Sequence, residues 1–148
     1  MEAPKRIVLD TTVMIGHLRD RGRESRLITR LQEEVELATT IVNAFELYFG
    51  AYKSKQVKRN LAAAKGFLAT IQVLLLDDGS SERAGEVLAD LERTGKPIDP
   101  KDLFIGCIAV EHGYAVLTHN TEHFQRIPQL VVIAPSEVET DPAKAGSN

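Results

Sequence analysis

Three acids and one amide stand where short apolar runs end or helices begin. Asp10 follows "RIVL". Glu46 lies inside "IVNAFELYFGAYKS". Asp102 falls in the first turn of "PKDLFIGCIAVEH". Asn120 lies two residues beyond "YAVLT". Brought together, such oxygen donors suit a hard divalent cation, Mg²⁺ or Mn²⁺ rather than zinc. Clustered carboxylates repel one another, and stay ionised together only when a cation offsets their charge. Each residue also has a plainer reading. Asp10 could simply end its strand, and Glu46 could be a solvated helix residue. Asp102 stands where a helix's positive end favours an acid. Asn120 could be an ordinary turn residue.

A second constellation overlaps the last of these. His119-Asn120-Thr121-Glu122-His123 reads H-x-x-E-H, a pattern of zinc metalloproteases. Such a site needs both histidines on one helix face and a third ligand elsewhere. Here the motif directly follows the apolar run "AVLT", and only 25 residues remain after His123. Zinc is therefore disfavoured. His119 reads as an exposed loop histidine, with proximity to a cation as the alternative. Phe124 and Ile127 read as anchors of this loop on the core.

The elements that must position these residues alternate. "RIVL" (6–9) reads as a buried strand, "VELATT" (35–40) as a second, "IQVLLL" (71–76) as a third, "YAVLT" (114–118) as a fourth and "LVVI" (130–133) as a fifth. Amphipathic or Ala-rich stretches between them read as helices. Thr11 or Thr12 is the expected cap of the first helix, and Thr39 or Thr40 that of the helix carrying Glu46. Asp99, Pro100 and Gly113 mark the cap, first turn and stop of the helix carrying Asp102. Strands alternating with helices imply a mainly parallel sheet of about five strands, covered on both faces: a three-layer α/β/α sandwich. In such sheets functional groups gather beyond the carboxyl ends of the strands. All four oxygen-bearing residues could meet there.

Composition sets the outer bounds. The 148 residues suit one domain, with no internal repeat or dividing linker. From Pro135 the sequence is polar, and a frayed tail is expected over 135–148. Cys107, the only cysteine, sits in the apolar run "LFIGCIAV" and reads as a small buried hydrophobe. No stretch has the length of a membrane span or a signal peptide, so a cytoplasmic protein without membrane contact is expected. The net charge of −3 argues against an extended basic surface. Two local clusters remain: Arg19, Arg21, Arg23, Arg26 and Arg30, then Lys53, Lys55, Lys58 and Arg59. They could be solvated helix faces or could flank a substrate groove.

At this level the sequence resembles the PIN-domain nucleases. "IVLDTTVMI" resembles their opening block, "TTIVNAFELYFGA" their second, and "PIDPKDLFIGCIAVEHGYAVLTHNTEHFQRIPQL" their third and fourth, particularly in VapC-type toxins of toxin–antitoxin pairs. The resemblance runs from about residue 6 to residue 133, which makes residues 1–134 a single PIN-like nuclease domain. It implies that Asp10, Glu46 and Asp102 are acidic metal-site residues and that Asn120 fills a fourth catalytic position, which is Asp in many members. Thr12 stands where Asn or Ser is commoner, and its hydroxyl could still orient Asp10. Asp99 occupies a position that is often Gly, and reads as a cap. The resemblance also implies Mg²⁺- or Mn²⁺-dependent hydrolysis of RNA, a homodimer and a small cognate antitoxin. A non-toxin RNA-processing nuclease, or a catalytically silent module binding RNA or protein, are the alternatives.

Two other phosphate-handling α/β families fit less well. Aspartyl-nucleophile phosphatases carry D-x-D after strand 1, where this chain has Thr12; receiver domains need an acidic pair there. Finally, Phe45, Tyr48, Phe49 and Tyr52 concentrate half of the eight aromatics on one helix. Core packing, dimer packing and a groove for an antitoxin helix all remain open for this stripe.

Overall fold

Alternation within the strands decides which layer each residue serves. Successive side chains on a strand point to opposite faces. The computed structural model, which describes residues 3–19 and 22–138, follows that rule closely. In β1 (Arg6–Leu9), Ile7 and Leu9 pack on one face, with Leu37 of β2 (Glu36–Thr40) and with Ala115 and Leu117 of β4 (Ala115–Leu117). Val8, Ala38 and Val116 pack on the other. A register slip of one residue would exchange the two sets, so both covered faces specify the pairing.

The first face is covered by α1 (Thr11–Leu18), α2 (Gly22–Glu34), α3 (Ile41–Lys53) and α4 (Val57–Leu68), through residues such as Met14, Ile28, Leu47 and Phe67. The second is covered by α5 (Asp78–Arg93) and α6 (Pro100–His112), with Phe124 and Ile127 from the segment around α7 (Thr121–Phe124). With β3 (Gln72–Leu74) and β5 (Val132–Ile133), the sheet has five strands in the order β3-β2-β1-β4-β5. All four pairings are parallel. The expected three-layer sandwich is thus present. Cys107 is fully buried, and burial pushes its thiol up to about 11. Among the described residues no helix is long and apolar enough to cross a membrane.

Local sequence explains most boundaries. Thr40 caps α3 in a reciprocal pair with Asn43: its hydroxyl accepts from the Asn43 N–H, while Asn43 Oδ1 accepts from the Thr40 N–H. Asp99 accepts from the Lys101 N–H at 2.8 Å, Pro100 opens α6, and Gly113 stops it at φ 78°. Gly106 permits close packing: a Cβ there would lie 2.2 Å from Ile127 Cδ1 and 3.2 Å from Leu130 Cδ2, so those side chains would have to shift. That close approach seats the Ile127 anchor against α6.

Two expectations are corrected. Neither Thr11 nor Thr12 caps α1. Asp10 holds the cap position, and its side chain makes no capping bond because it is engaged elsewhere. The expected frayed tail begins instead as a short helix, α8 (Pro135–Val138), with Pro135 buried and Arg30 hydrogen-bonded to the Val138 carbonyl. The remainder of that tail, 139–148, and Arg21 of the first basic cluster lie outside the described residues.

Candidate active site

The chain moves from β1 outward to β2 and β3, then crosses to the other side of β1 to lay down β4 and β5. The strand order therefore reverses between β1 and β4. Beyond the carboxyl ends of those two strands, the flanking connections diverge and leave a crevice. Asp10 sits there, directly after β1, with its N–H donating to the Leu117 carbonyl of β4 at 3.0 Å.

Asp10 is buried, and its carboxylate is held from three sides. Asn43 Nδ2 of α3 donates to Oδ1 at 3.1 Å. Thr118, just past β4, donates to Oδ2 at 2.7 Å, and Thr12 donates to the same oxygen at 3.1 Å. Hydrogen bonds to an ionised acceptor are the stronger kind. They fix this carboxylate in one orientation. The Thr12 hydroxyl thus orients Asp10 in the way its position suggested.

Glu46 follows Asn43 by three residues, so both lie on the same side of α3. Its Oε1 accepts from Thr11 Oγ1 at 2.7 Å. Burial raises the Glu46 pKa, against the Thr11 hydrogen bond, and the charges of Asp10 and Asp102 raise it further. Asp102 enters from the opposite layer on the first turn of α6. Its pKa is also raised, first by burial and then by Asp10 and Asp99, while His123 opposes the shift. Asp10 therefore acts electrostatically on both other acids. Asn120 Nδ2 donates to Asp102 Oδ2 at 3.3 Å and lies 3.0 Å from His123 Nδ1. His123 Nδ1 is itself 3.3 Å from Asp102 Oδ2.

The structure brings Asp102, Asn120 and His123 into direct contact, and surrounds Asp10 with hydroxyl and amide donors. Among the described residues no three His, Cys, Asp or Glu side chains are grouped so as to hold a metal ion. The donor chemistry nonetheless fits a hard divalent cation. The acids are oxygen donors that repel one another, and the hydrogen bonds engage only Oε1 of Glu46 and Oδ2 of Asp102.

The two histidines of H-x-x-E-H go separate ways. His119 precedes α7, and its Nε2 lies 3.8 Å from Glu24 of α2; His123 is on α7 and faces Asp102. Sequence reasoning overlooked Asn43, Thr118, Thr11 and His123 as parts of this site. Asn43 carried a signal: a polar residue at the third helical position after Thr40, one turn before Glu46. Thr118 carried almost none, since a threonine ending a strand is ordinary.

An α/β/α sandwich with acids collected at the switch point of a parallel sheet defines a class of site for cations and phosphate groups. Residues 7–130 match the PIN domain family. The chain belongs to that family. A tRNA(fMet)-specific endonuclease VapC of Shigella flexneri is 32% identical over 122 residues, covering 82% of this chain and 92% of that protein. Ribonuclease VapC2 of Haemophilus influenzae is 27% identical over 121 residues, covering 81% and 90%. Among solved structures, DNA-bound VapBC from Salmonella typhimurium superposes with a TM-score of 0.80 at 30% identity, covering 90% of this chain and 99% of that one. VapBC2 from Rickettsia felis, bound to a DNA fragment from its promoter, has a TM-score of 0.81 at 23% identity over 87% and 98%, and shows the shared fold.

Proposed function

We propose that this chain is a Mg²⁺- or Mn²⁺-dependent ribonuclease that hydrolyses RNA phosphodiester bonds in the cytoplasm as the toxin of a toxin–antitoxin pair. One observation carries the reading. Asp10 is buried yet kept as an acceptor by three donors, at the switch point, with the charges of Glu46 and Asp102 coupled to it. A buried carboxylate so arranged, with two more acids near, is costly unless a cation joins it. The ribonuclease and endonuclease relatives, and the VapBC complexes with the same fold, support the RNA substrate and the antitoxin partner.

In this reading Asp10, Glu46 and Asp102 would hold the cation, with Asn120 as the fourth site residue. A bound divalent ion supplies activation of water and offsets charge on the scissile phosphate. The protein's own groups do the rest. Asn43, Thr12 and Thr118 keep the Asp10 carboxylate oriented. Glu46 or Asp102, whichever carboxylate neighbours the attacking water, would accept its proton. Thr11 holds Glu46, and the His123–Asn120 pair holds Asp102.

Asp10→Asn is the test. The amide introduced by this substitution can still accept from Asn43 through its oxygen, and its NH₂ can face the threonine hydroxyls, which rotate to accept. The fold should survive, as read by circular dichroism, while RNA cleavage in Mg²⁺ or Mn²⁺ disappears. Chelation of the metal should abolish cleavage by the unsubstituted protein. Cleavage by the variant at the wild-type rate would sink the assignment. In cells, expression should halt growth, and co-expression of a cognate small antitoxin should restore growth.

A further inference from the structure

A cavity of about 260 Å³ opens beside this site, between the first turn of α2, the loop joining β4 to α7, and the start of α8. His119 and Thr121, which flank the site residue Asn120, line one side. Ala134 and Pro135 give it an apolar wall, Glu24 gives it a carboxylate, and Arg23 and Ser136 complete the lining. We propose that this cavity is a nucleobase subsite of the nuclease: a base next to the cleaved phosphate enters it, and Glu24 reads guanine. The inference rests on the ribonuclease reading above.

Size, wall and the Glu24 carboxylate each point the same way. Pockets for drug-sized ligands run from about 300 Å³ upward, so this one suits a single ring system. Single-stranded RNA is recognised by splayed bases that stack on flat or aromatic side chains and bond through their Watson–Crick edges. Pro135 and the His119 imidazole supply such surfaces. Arg23 lines the same cavity and can meet the adjoining phosphate, while the Glu24 carboxylate repels phosphate. That carboxylate is an acceptor for base N–H groups. Guanine alone among the four RNA bases presents two adjacent N–H donors, N1–H and the 2-amino group, on that edge, and a carboxylate takes both at once.

Glu24 is also held in place. Its side chain is only 15% exposed, and its Oε1 lies 3.8 Å from His119 Nε2. Its stem crosses α1 at Gly16, where a Cβ would come within 2.6 Å of Glu24 Cγ. Only glycine at that position lets the carboxylate lie where it does.

The experiment measures binding and cleavage separately. Short single-stranded RNAs containing guanine, and the same RNAs with inosine, which lacks the 2-amino group, are titrated by fluorescence anisotropy into full-length Asp10→Asn protein. The titration is repeated with Glu24→Gln added. Cleavage of the same RNAs by the Asp10-containing proteins is followed in Mn²⁺. Guanine RNA should bind roughly tenfold tighter than inosine RNA, a loss on the scale of one partner of a bidentate base contact. Glu24→Gln should remove that difference, because a carboxamide cannot accept two parallel donors. Equal binding of both RNAs by the Glu24 protein, or the same preference after Glu24→Gln, overturns the subsite. Cleavage without guanine preference leaves the nuclease standing and the subsite refuted. Guanine-selective binding without cleavage does the reverse. Absence of RNA binding refutes both.

Discussion

Glu46 is set against its surroundings. Its folded-state pKa is raised above the ordinary 4.5 by burial, despite the Thr11 hydrogen bond, and further by Asp10 and Asp102. For an acid with a raised folded pKa, the folded state holds the proton longer than the unfolded one. Stability of the metal-free protein therefore falls as pH rises from the unfolded value through the folded one. Glu46→Gln removes that penalty and keeps an oxygen for Thr11. Melted without metal at pH 8, it should be more stable than wild type, by about 2–4 °C if the relief is worth ~1 kcal/mol. Well below 4.5 the two should coincide. A variant that melts lower at pH 8 would remove Glu46 from the repelling cluster. Asn120 offers the opposite case. Its NH₂ donates to Asp102, and Asn120→Asp replaces that donor with a fourth negative charge. Mn²⁺ should bind tighter in calorimetric titration, while the metal-free protein melts lower. Unchanged values for both would leave Asn120 a turn residue.

At the scale of elements, single residues join layers. Asn43 closes the α3 cap with Thr40 and donates to Asp10, just past β1, through the same side chain. Asn43→Ala breaks both and leaves a buried carboxylate oxygen short of a donor. It should cost ~1–3 kcal/mol in denaturant unfolding and slow RNA cleavage, because α3 and the Asp10 carboxylate lose their common hold. Unchanged stability would show that water replaces the amide. Gly16 joins α1 to α2 through Glu24. Gly16→Ala favours the helix by up to ~1 kcal/mol, but the methyl meets the Glu24 stem, with Cγ at 2.6 Å and Cβ at 3.0 Å, so that side chain must leave its place and α1 and α2 must part slightly. The variant should melt lower than wild type and lose guanine discrimination. Retained discrimination would separate Gly16 from the placing of Glu24.

At the scale of the molecule, the aromatic stripe on α3 divides. Tyr48 packs against the core. Phe45, Phe49 and Tyr52 are 55%, 55% and 63% exposed, and Phe45 stacks beside Phe49 with centroids 6.2 Å apart. Core packing is thus removed as the cause for those three. Contiguous exposed aromatics mark association surfaces. The proposed homodimer makes Phe45→Ser with Phe49→Ser the informative change. Light scattering should find the double variant monomeric at concentrations where wild type is a dimer, with little loss of melting temperature per chain. A variant that stays dimeric would reassign the stripe to the antitoxin.

The amino-acid sequence by itself determined the elements, because their signals are local. Alternating β-branched runs, Asp99-Pro100 at one helix start and Gly113 at its end each act within a few residues. The order of four motif blocks was legible in the same way, and it offered Asp10, Glu46, Asp102 and Asn120 as candidates. The tertiary structure alone decided what those residues touch. Thr118 meets Asp10 across 108 positions of chain, and His123 meets Asp102 across 21. Glu24 and Pro135 share a cavity although α2 and α8 stand near opposite ends of the described chain. Such contacts depend on strand order, and local propensity carries no record of which strand lies beside which. The crossover that sets β4 against β1 created the site, and only the packed sheet shows it.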